Sequence, residues 1–173
     1  MQLKQENIGE KVLSESKRHH RIKMSKTIYI AGPIFSDSEK MYLEMLEGEL
    51  SKGLNLKVKE DFFLAHRDVG DVGISGVGRD EAFFDDIKAL DECKIIVAWL
   101  DGPDVDSGTA VELGYAYARD KKIFGLSTDR RRWNQSLEGF AINNMIWGVC
   151  KKKEDIHIYR SIGSLISDLK KVL

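Results

Sequence analysis

The chain has 173 residues, enough for one domain of ordinary size with a full hydrophobic core. Its 27 basic and 28 acidic residues nearly balance, so the sequence lacks the basic field with which proteins hold nucleic acids. The two cysteines have no metal-ligand spacing, and no apolar run reaches membrane-spanning length. We therefore expect free thiols, no metal site, no signal peptide, a cytoplasmic location and a small ligand or protein partner.

The amino-terminal part differs in composition from the rest of the chain. Residues 1–26 are polar and basic with little to bury, which predicts a mobile extension. Residues 27–173 are predicted to form a single domain. It begins with the apolar run 27–31, which predicts a first, central strand, and the loop 32–37 follows that strand.

The next segments alternate between helical and extended patterns. Asp37 or Ser38 is predicted to cap a helix that Gly53 ends, and residues 54–61 are predicted to form the second strand. The loop 66–78 contains four glycines without the spacing of a phosphate-binding motif. A lid and a simply flexible loop both remain open for it.

A predicted helix at 79–92 precedes the most hydrophobic predicted strand, 95–99. Its inner side is predicted to consist of Phe83, Phe84, Ile87 and Leu90. Asp86 lies three residues after the first of these and four before the last, so its side chain is expected to point towards the sheet.

The residue pattern of the turn 101–107 predicts a functional site, because this turn joins strand 95–99 to a helix and contains several carboxylates. That helix is predicted to start near Gly108, with Asp106 or Ser107 as its cap. In parallel sheets, ligands bind beyond the carboxyl ends of the strands, which is where this turn is expected to lie.

Glu112 is expected in about the first turn of this helix, where unpaired N–H groups favour a carboxylate that is ionised near neutral pH. Asp101, Asp104 and Asp106 lie just upstream, so several carboxylates are expected to converge with Glu112 on one small volume. A purely structural interpretation remains open, in which Asp106 is a helix cap and Glu112 only complements the helix dipole.

The remaining elements complete an alternation of strands and helices. A strand is predicted at 121–126, a polar connection with three arginines at 128–133, a short last strand at 156–159 and an amphipathic helix at 162–173. This rhythm predicts an α/β fold, a three-layer sandwich with a flavodoxin- or Rossmann-like parallel sheet of about five strands.

Several of these segments together resemble the nucleoside 2-deoxyribosyltransferase family. They are Tyr-Ile-Ala-Gly-Pro-Ile-Phe at 29–35, the helix of Asp86, Asp-Gly-Pro-Asp-Val-Asp-Ser-Gly-Thr-Ala-Val-Glu-Leu-Gly-Tyr at 101–115, and Asn-Asn-Met at 143–145. The resemblance extends in consistent order over roughly residues 27–149.

The resemblance implies an enzyme of nucleoside salvage that needs no cofactor and transfers 2-deoxyribose from a 2′-deoxynucleoside to a free nucleobase. Glu112 matches the glutamate that attacks the anomeric carbon and forms a covalent deoxyribosyl-enzyme. Tyr29 matches the tyrosine that holds this carboxylate. Asp86 matches the aspartate that exchanges protons with the bases, and Asp106 matches the aspartate that binds the sugar 5′-hydroxyl.

The resemblance also implies a substrate pocket that two subunits share. Gly32, Phe35 and Gly108 fall in the matching pocket segments, whereas Asn143 and Met145 match residues that a neighbouring subunit supplies. A homo-oligomer, a dimer or larger, is therefore expected. The alternative for Asn143 is a helix cap or a turn residue.

Three other functions remain open. Relatives that hydrolyse nucleoside 5′-monophosphates carry phosphate donors in the loop after the first strand, but the matching loop 33–38 has no arginine and contains an aspartate. A non-catalytic nucleotide-binding module and a metal-dependent phosphohydrolase are the others. The base specificity is not determined by the pattern, and the candidates to set it are Phe35, Phe63, His66 and the glycine-containing loop 66–78.

Overall fold

The computed structural model describes residues 26–70, 76–130, 142–152 and 155–173. Residues 1–25 of the predicted extension, part of the glycine-containing loop and the arginines at 131 and 132 lie outside the described residues. The elements are, in chain order, β1 (Ile28–Ala31), α1 (Asp37–Leu54), β2 (Phe62–Phe63), α2 (Ala65–Asp68), α3 (Arg79–Glu92), β3 (Ile95–Trp99), α4 (Ser107–Ala118), β4 (Lys122–Leu126), α5 (Asn144–Val149), β5 (Lys151–Lys152), β6 (Asp155–Ile156), β7 (Ile158–Tyr159) and α6 (Ile162–Leu169).

The main sheet has five parallel strands in the order β2-β1-β3-β4-β7. This confirms the predicted α/β fold. The central strand is β3, and β1 lies beside it with Ile28 opposite Ile95. The expectation that the first strand is central was therefore wrong by one position. The burial of β1 does not distinguish it from the central strand, because β1 and β3 are both covered on both faces.

Two helical layers cover the sheet because successive side chains of a strand point to opposite faces. Ile95 and Val97 of β3 belong to one core cluster, and Ile96 and Ala98 belong to the other. The first cluster is completed by leucines of α1 and α6, namely Leu43, Leu46, Leu50, Leu165 and Leu169. The second is completed from α3, α4 and α5 by Ala89, Leu90, Leu113, Ala116 and Ile146.

Helix α1 starts and ends differently from the prediction. Its cap is Ser36, whose Oγ accepts from the amide of Glu39, while the Glu39 carboxylate accepts from the amide of Ser36 at 2.7 Å. The helix continues through Gly53 and ends at Asn55, which has a left-handed φ of 55°. Gly53 lies against α6, where a Cβ atom would be 2.6 Å from Cδ1 of Ile166. Helix packing, not chain termination, explains this glycine.

The second strand is much shorter than predicted. Residue 54 is the last of α1, residues 55–61 form a turn, and only Phe62 and Phe63 pair with β1. Lys59 has a positive φ of 67°, and the Asp61 carboxylate accepts from the amide of Lys57 at 2.8 Å. These local bonds compete with extended backbone, so the apolar residues before Phe62 do not join the sheet.

Helix α3 has its predicted bounds, but its predicted inner side is wrong in part. The rings of Phe83 and Phe84 are 55% and 60% exposed. The buried stripe instead runs through Asp86, Ala89 and Leu90, which follow one another at helical spacing. The expectation that Asp86 points inward is therefore confirmed, while the two aromatic rings lie outside the core.

The carboxyl-terminal part follows the prediction with two changes. The segment 156–159 divides into β6, which pairs with β5 in a small antiparallel ribbon, and β7, which joins the main sheet. Helix α6 ends at Leu169 rather than at the last residue. Cys93 and Cys150 are free, as predicted, and both are buried. Within the described ranges, no helix combines the length and the apolarity that crossing a bilayer requires.

Candidate active site

A pocket of about 150 Å³ opens at the carboxyl ends of β1 and β3. The strand order makes this the point at which the chain direction across the sheet reverses, the usual ligand position in such folds. Six predicted site residues line it, namely Gly32, Phe35, Asp86, Asp106, Gly108 and Glu112. The pattern did not indicate the other lining residues, which are Ile30, Ala31, Ile34, Ala65 and Thr109.

Tyr29 and Glu112 meet beside this pocket. The Tyr29 hydroxyl donates a hydrogen bond of 2.6 Å to Oε1 of Glu112. Burial, together with the negative charges of Glu112 and Asp86, raises the pKa of Tyr29 well above its usual value. The phenol therefore keeps its proton and acts as a donor throughout the physiological range.

Glu112 lies in the second turn of α4, since the helix begins at Ser107. Burial raises the pKa of its carboxyl to about 8; the hydrogen bond from Tyr29 opposes this shift, and the charges of Asp86 and Asp106 add to it. The expectation that Glu112 is ionised near neutral pH is thus wrong for the unliganded site. The helix dipole is strongest in the first turn, and here desolvation outweighs it.

Asp86 supplies a second carboxyl with a perturbed pKa. Burial, and then the charge of Asp85, raises the pKa of Asp86 to about 6, although its proximity to the Tyr29 hydroxyl opposes the shift. Its Oδ1 atom is buried without a hydrogen-bond partner among the described residues. A buried, unpaired carboxylate oxygen at a pocket is destabilising, which is typical of a group that functions with a ligand.

Asp106 caps α4, so the structural interpretation of this residue is correct as far as it goes. Its Oδ2 accepts from the amide of Thr109 at 2.8 Å and from the Thr109 hydroxyl at 3.1 Å. Asp106 nevertheless lines the pocket. Gly108 is close to it, because a Cβ atom there would be 3.1 Å from Asp106 Oδ2.

The expected convergence of further carboxylates does not occur. Asp101 accepts from the amides of Thr128 and Asp129 at 2.7 and 2.9 Å, and it holds the chain after β4 in place. Asp104 accepts from the next amide in its own exposed turn. In the part of the chain that the structure describes, no three His, Cys, Asp or Glu side chains form a group suited to a metal ion.

Four other candidates lie outside this pocket. Asn143 caps α5 by accepting from the amide of Met145 at 2.8 Å, and the Met145 side chain is 76% exposed. His66 contacts Glu44 of α1, with 3.2 Å between its Nε2 and Oε1 of Glu44. Phe63 is only 1% exposed and lies in the core, outside the pocket lining, and its suggested part in base specificity stays a prediction.

A larger cavity, of about 600 Å³, lies at the opposite edge of the sheet. Two of its lysines are engaged in the fold, because Lys121 and Lys122 donate to the main-chain carbonyls of Cys93 and Val172. Among the described residues, neither its carboxylate, Asp120, nor its thiol, Cys150, is paired with a general base. The smaller pocket, with its buried carboxyls and hydrogen-bonded tyrosine, is the chemically equipped one.

Residues 28–155, about three quarters of the chain, match the nucleoside 2-deoxyribosyltransferase family. The chain belongs to this family. Its members are enzymes that act on nucleosides and nucleobases. All residues that line the pocket lie within the matched range.

Individual relatives are more distant. An uncharacterized protein of Schizosaccharomyces pombe is 37% identical over 67 residues, which are 36% of this chain and 31% of that protein. The match thus spans less than a third of this curated relative. A conserved protein of Enterococcus faecalis has a TM-score of 0.71 at 24% identity, covering 86% of this chain and 99% of its own. A 2-deoxyribosyltransferase of Leishmania mexicana has a TM-score of 0.58 at 23% identity, covering 84% and 97%. The two structures agree with this chain in fold.

Proposed function

We propose that this protein transfers 2-deoxyribose between nucleobases through a covalent intermediate on Glu112. The observation that carries the proposal is the 2.6 Å hydrogen bond from the buried Tyr29 hydroxyl to Glu112, beside a pocket that also contains Asp86. A nucleophile held by one group and accompanied by a second titratable carboxyl is the arrangement that double displacement requires. Family membership supports the same activity.

In the first displacement, a carboxylate oxygen of Glu112 forms a bond to the anomeric carbon, and the bond from that carbon to the base nitrogen breaks. The electron pair of that bond leaves with the base, which takes a proton from Asp86. Tyr29 keeps the Glu112 carboxylate in place while this carboxylate loses its negative charge by forming the bond. A pKa of about 6 suits Asp86 to this exchange, because both of its protonation states are accessible near neutral pH.

In the second displacement, a nitrogen of the incoming base attacks the anomeric carbon and the bond to Glu112 breaks. The proton of that nitrogen returns to Asp86, so the enzyme regains its starting state. Water at the same position gives hydrolysis instead, so the pocket must favour a base over water. Asp106 is proposed to bind the 5′-hydroxyl of the sugar.

The charges around the pocket favour nucleosides over nucleotides. Its described lining contains the carboxyls of Asp86, Asp106 and Glu112 and no lysine, arginine or histidine. The adjacent amides of Phe35 and Ser36, at the start of α1, already donate to the Glu39 carboxylate at 2.9 and 2.7 Å. A 5′-phosphate would therefore meet negative charge at this end of the pocket, where these two amides are already engaged.

We further propose that a second copy of the chain completes the site. About 150 Å³ is less than the roughly 300–1,000 Å³ of ordinary ligand pockets. Asn143 and Met145 do not line the pocket of their own chain, and Met145 is exposed. Equimolar Glu112→Gln and Asn143→Ala chains, each inactive alone, should regain about a quarter of wild-type activity when mixed as subunits of a dimer. No recovery, with mixed dimers present, would show that Asn143 serves its own chain.

The central experiment incubates the purified protein with 2′-deoxyadenosine, alone and with cytosine, and follows products by chromatography. Glu112→Gln is the matched inactive variant, because an amide preserves the shape of the protonated carboxyl. A new deoxynucleoside that requires both the second base and Glu112 would establish the transferase. Free adenine at the same rate with and without cytosine would identify a hydrolase, and 2′-deoxyadenosine 5′-monophosphate should then be tested.

Turnover of the monophosphate but not of the nucleoside would replace the proposal with a nucleotide N-glycosidase. Ligand binding without turnover of either substrate would replace it with a binding module. A trapped adduct gives independent evidence of mechanism, since the covalent intermediate adds the mass of one deoxyribosyl group to the peptide that contains Glu112. Its absence on rapid quenching of an active enzyme would exclude the double displacement.

A further inference from the structure

We infer that Phe63 is a positioning residue for catalysis, which fixes the Tyr29 phenol so that its hydroxyl reaches Glu112. The inference deepens the proposed function and rests on it for its kinetic test. It concerns a side chain that does not line the pocket and that lies on β2, adjacent to the strand of Tyr29.

The two rings are stacked. Their centroids are 5.0 Å apart with an angle of 24° between the planes, and Tyr29 and Phe63 occupy paired positions of neighbouring strands. Both side chains are at most 1% exposed. A phenol ring has two soft torsions, and the ring of Phe63 covers one of its faces, so rotation of Tyr29 away from Glu112 would require Phe63 to move.

A cation also lies over the ring of Phe63. The Lys26 ammonium lies 5.5 Å from the centre of the Phe63 ring and pairs with Oδ2 of Asp68 at 2.7 Å. The ammonium thus forms a cation–π contact with the ring. Its counterion Asp68 is fixed to the same strand end, because Oδ2 of Asp68 also accepts from the amide of Leu64 at 2.9 Å.

A buried ionic network holds this arrangement to α1. Arg67 donates to Asp68 at 3.0 Å, to the carbonyl of Phe62 at 3.1 Å and to Glu47 of α1 at 2.6 Å. Burial opposes ionisation of Asp68, but the hydrogen bonds from Arg67 and Lys26 outweigh it and lower its pKa. Asp68 and Arg67 therefore remain charged near neutral pH, and their contacts anchor the strand end on which Phe63 lies.

The chain contains a matched control for this inference. Phe62 is the neighbouring residue of the same short strand and is equally buried, but it faces the other helical layer, with α1 and α6. Truncation of either ring removes a similar volume from the core. Only truncation of Phe63 removes the surface against which Tyr29 is stacked.

The test compares Phe63→Leu with Phe62→Leu in the transfer reaction. The thermal midpoints are expected to fall by similar amounts, whereas kcat is expected to fall about tenfold or more only in Phe63→Leu, with KM within about twofold of wild type. The hydrogen bond from Tyr29 opposes the raised pKa of Glu112, so the alkaline limb of the pH profile, which lies near that pKa, should move to higher pH in this variant alone. Equal kcat values in the two variants, or an unmoved alkaline limb, would overturn the inference.

A second readout does not depend on turnover. Titration of carbon-labelled glutamate carboxyls by NMR, with Glu112→Gln to assign the signal, should give a higher pKa for Glu112 in Phe63→Leu than in wild type or Phe62→Leu. If the wild type proves inactive, the proposed function fails and this titration still decides the inference. Phe63→Met, whose flexible side chain can adapt to the space that the ring leaves, replaces Phe63→Leu if that variant does not fold; an unchanged Glu112 pKa in it counts against the inference.

Discussion

The Tyr29 hydroxyl lies 2.6 Å from Oε1 of Glu112, although 83 residues separate the two in the chain. Parallel pairing of β1 with β3 brings them together, because the helix that carries Glu112 follows β3. The same hydrogen bond restrains the carboxylate and opposes the raised pKa of Glu112.

Tyr29→Phe is expected to lower kcat by about ten- to hundredfold, since it removes the donor that aligns the nucleophile. The variant should also shift the alkaline limb of the pH profile to higher pH, because Glu112 loses a hydrogen bond that favours its charged form. Tyr115→Phe is the control, because its hydroxyl donates to Asp91 away from the pocket. An unchanged alkaline limb in Tyr29→Phe would contradict the assigned role of the hydroxyl.

The pH dependence of transfer should be bell-shaped, with limbs near pH 6 and pH 8 that belong to Asp86 and Glu112 as a pair. Below the lower value both carboxyls hold protons and no nucleophile is present. Above the upper value both are ionised and the departing base finds no proton donor. Between them the pair shares one proton, and the reactive form has it on Asp86. Measurements of kcat/KM from initial rates between pH 5 and 9 test this. A profile that is flat over that range would contradict it.

Glu112→Gln is expected to abolish transfer and to stabilise the fold at high pH. When the pKa of a carboxyl is higher in the folded than in the unfolded protein, the folded state loses stability as the pH rises between the two values, here from about 4.5 to about 8. At pH 9 the variant should therefore be more stable than wild type by on the order of 1–3 kcal/mol, allowing for partial exposure, and by much less at pH 4.5. Thermal melting at the two pH values measures the difference. Equal gains at both would mean that the charge of Glu112 is not the cause.

Asp106 has a structural role and a proposed binding role that two variants can separate. Asp106→Asn keeps an oxygen that caps α4, so its stability should stay close to wild type, whereas Asp106→Ala should lose about 1 kcal/mol. If Asp106 also binds the 5′-hydroxyl as a carboxylate, both variants should raise KM for 2′-deoxyadenosine, with a smaller effect on 2′,5′-dideoxyadenosine. An equal effect on the two substrates would leave Asp106 with its capping role alone.

Two glycines of α1 test the packing of α1 against α6. Gly53→Ala would place a methyl group 2.6 Å from Ile166 Cδ1 and should destabilise the fold by about 1–3 kcal/mol. Gly48→Ala meets nothing within 4 Å, so it should stabilise the same helix by about 0.5–1 kcal/mol. Chemical denaturation of the two variants measures both effects. A Gly53→Ala protein as stable as wild type would show that Ile166 can move aside.

The sequence by itself determined the fold class and most of the pocket. The apolar, β-branched run of β3 and the capped helix after it have local causes, so Asp106 and Glu112 could be placed at the carboxyl edge of the sheet before any tertiary contact was known. Asp86 could be placed beside them from helical periodicity.

Tertiary structure decided what depends on neighbours distant in the chain. The pKa of Glu112 is raised because the fold buries it, although its helix position favours the anion. Residues 54–61 do not form the predicted strand, because the turn in this segment satisfies its own backbone hydrogen bonds. Phe83 is exposed because α3 buries a neighbouring stripe of its surface. The stacking of Phe63 on Tyr29 follows from strand pairing, which no local sequence pattern encodes. Residue spacing describes a single helix or strand, whereas the burial of a side chain depends on all the elements that pack against it.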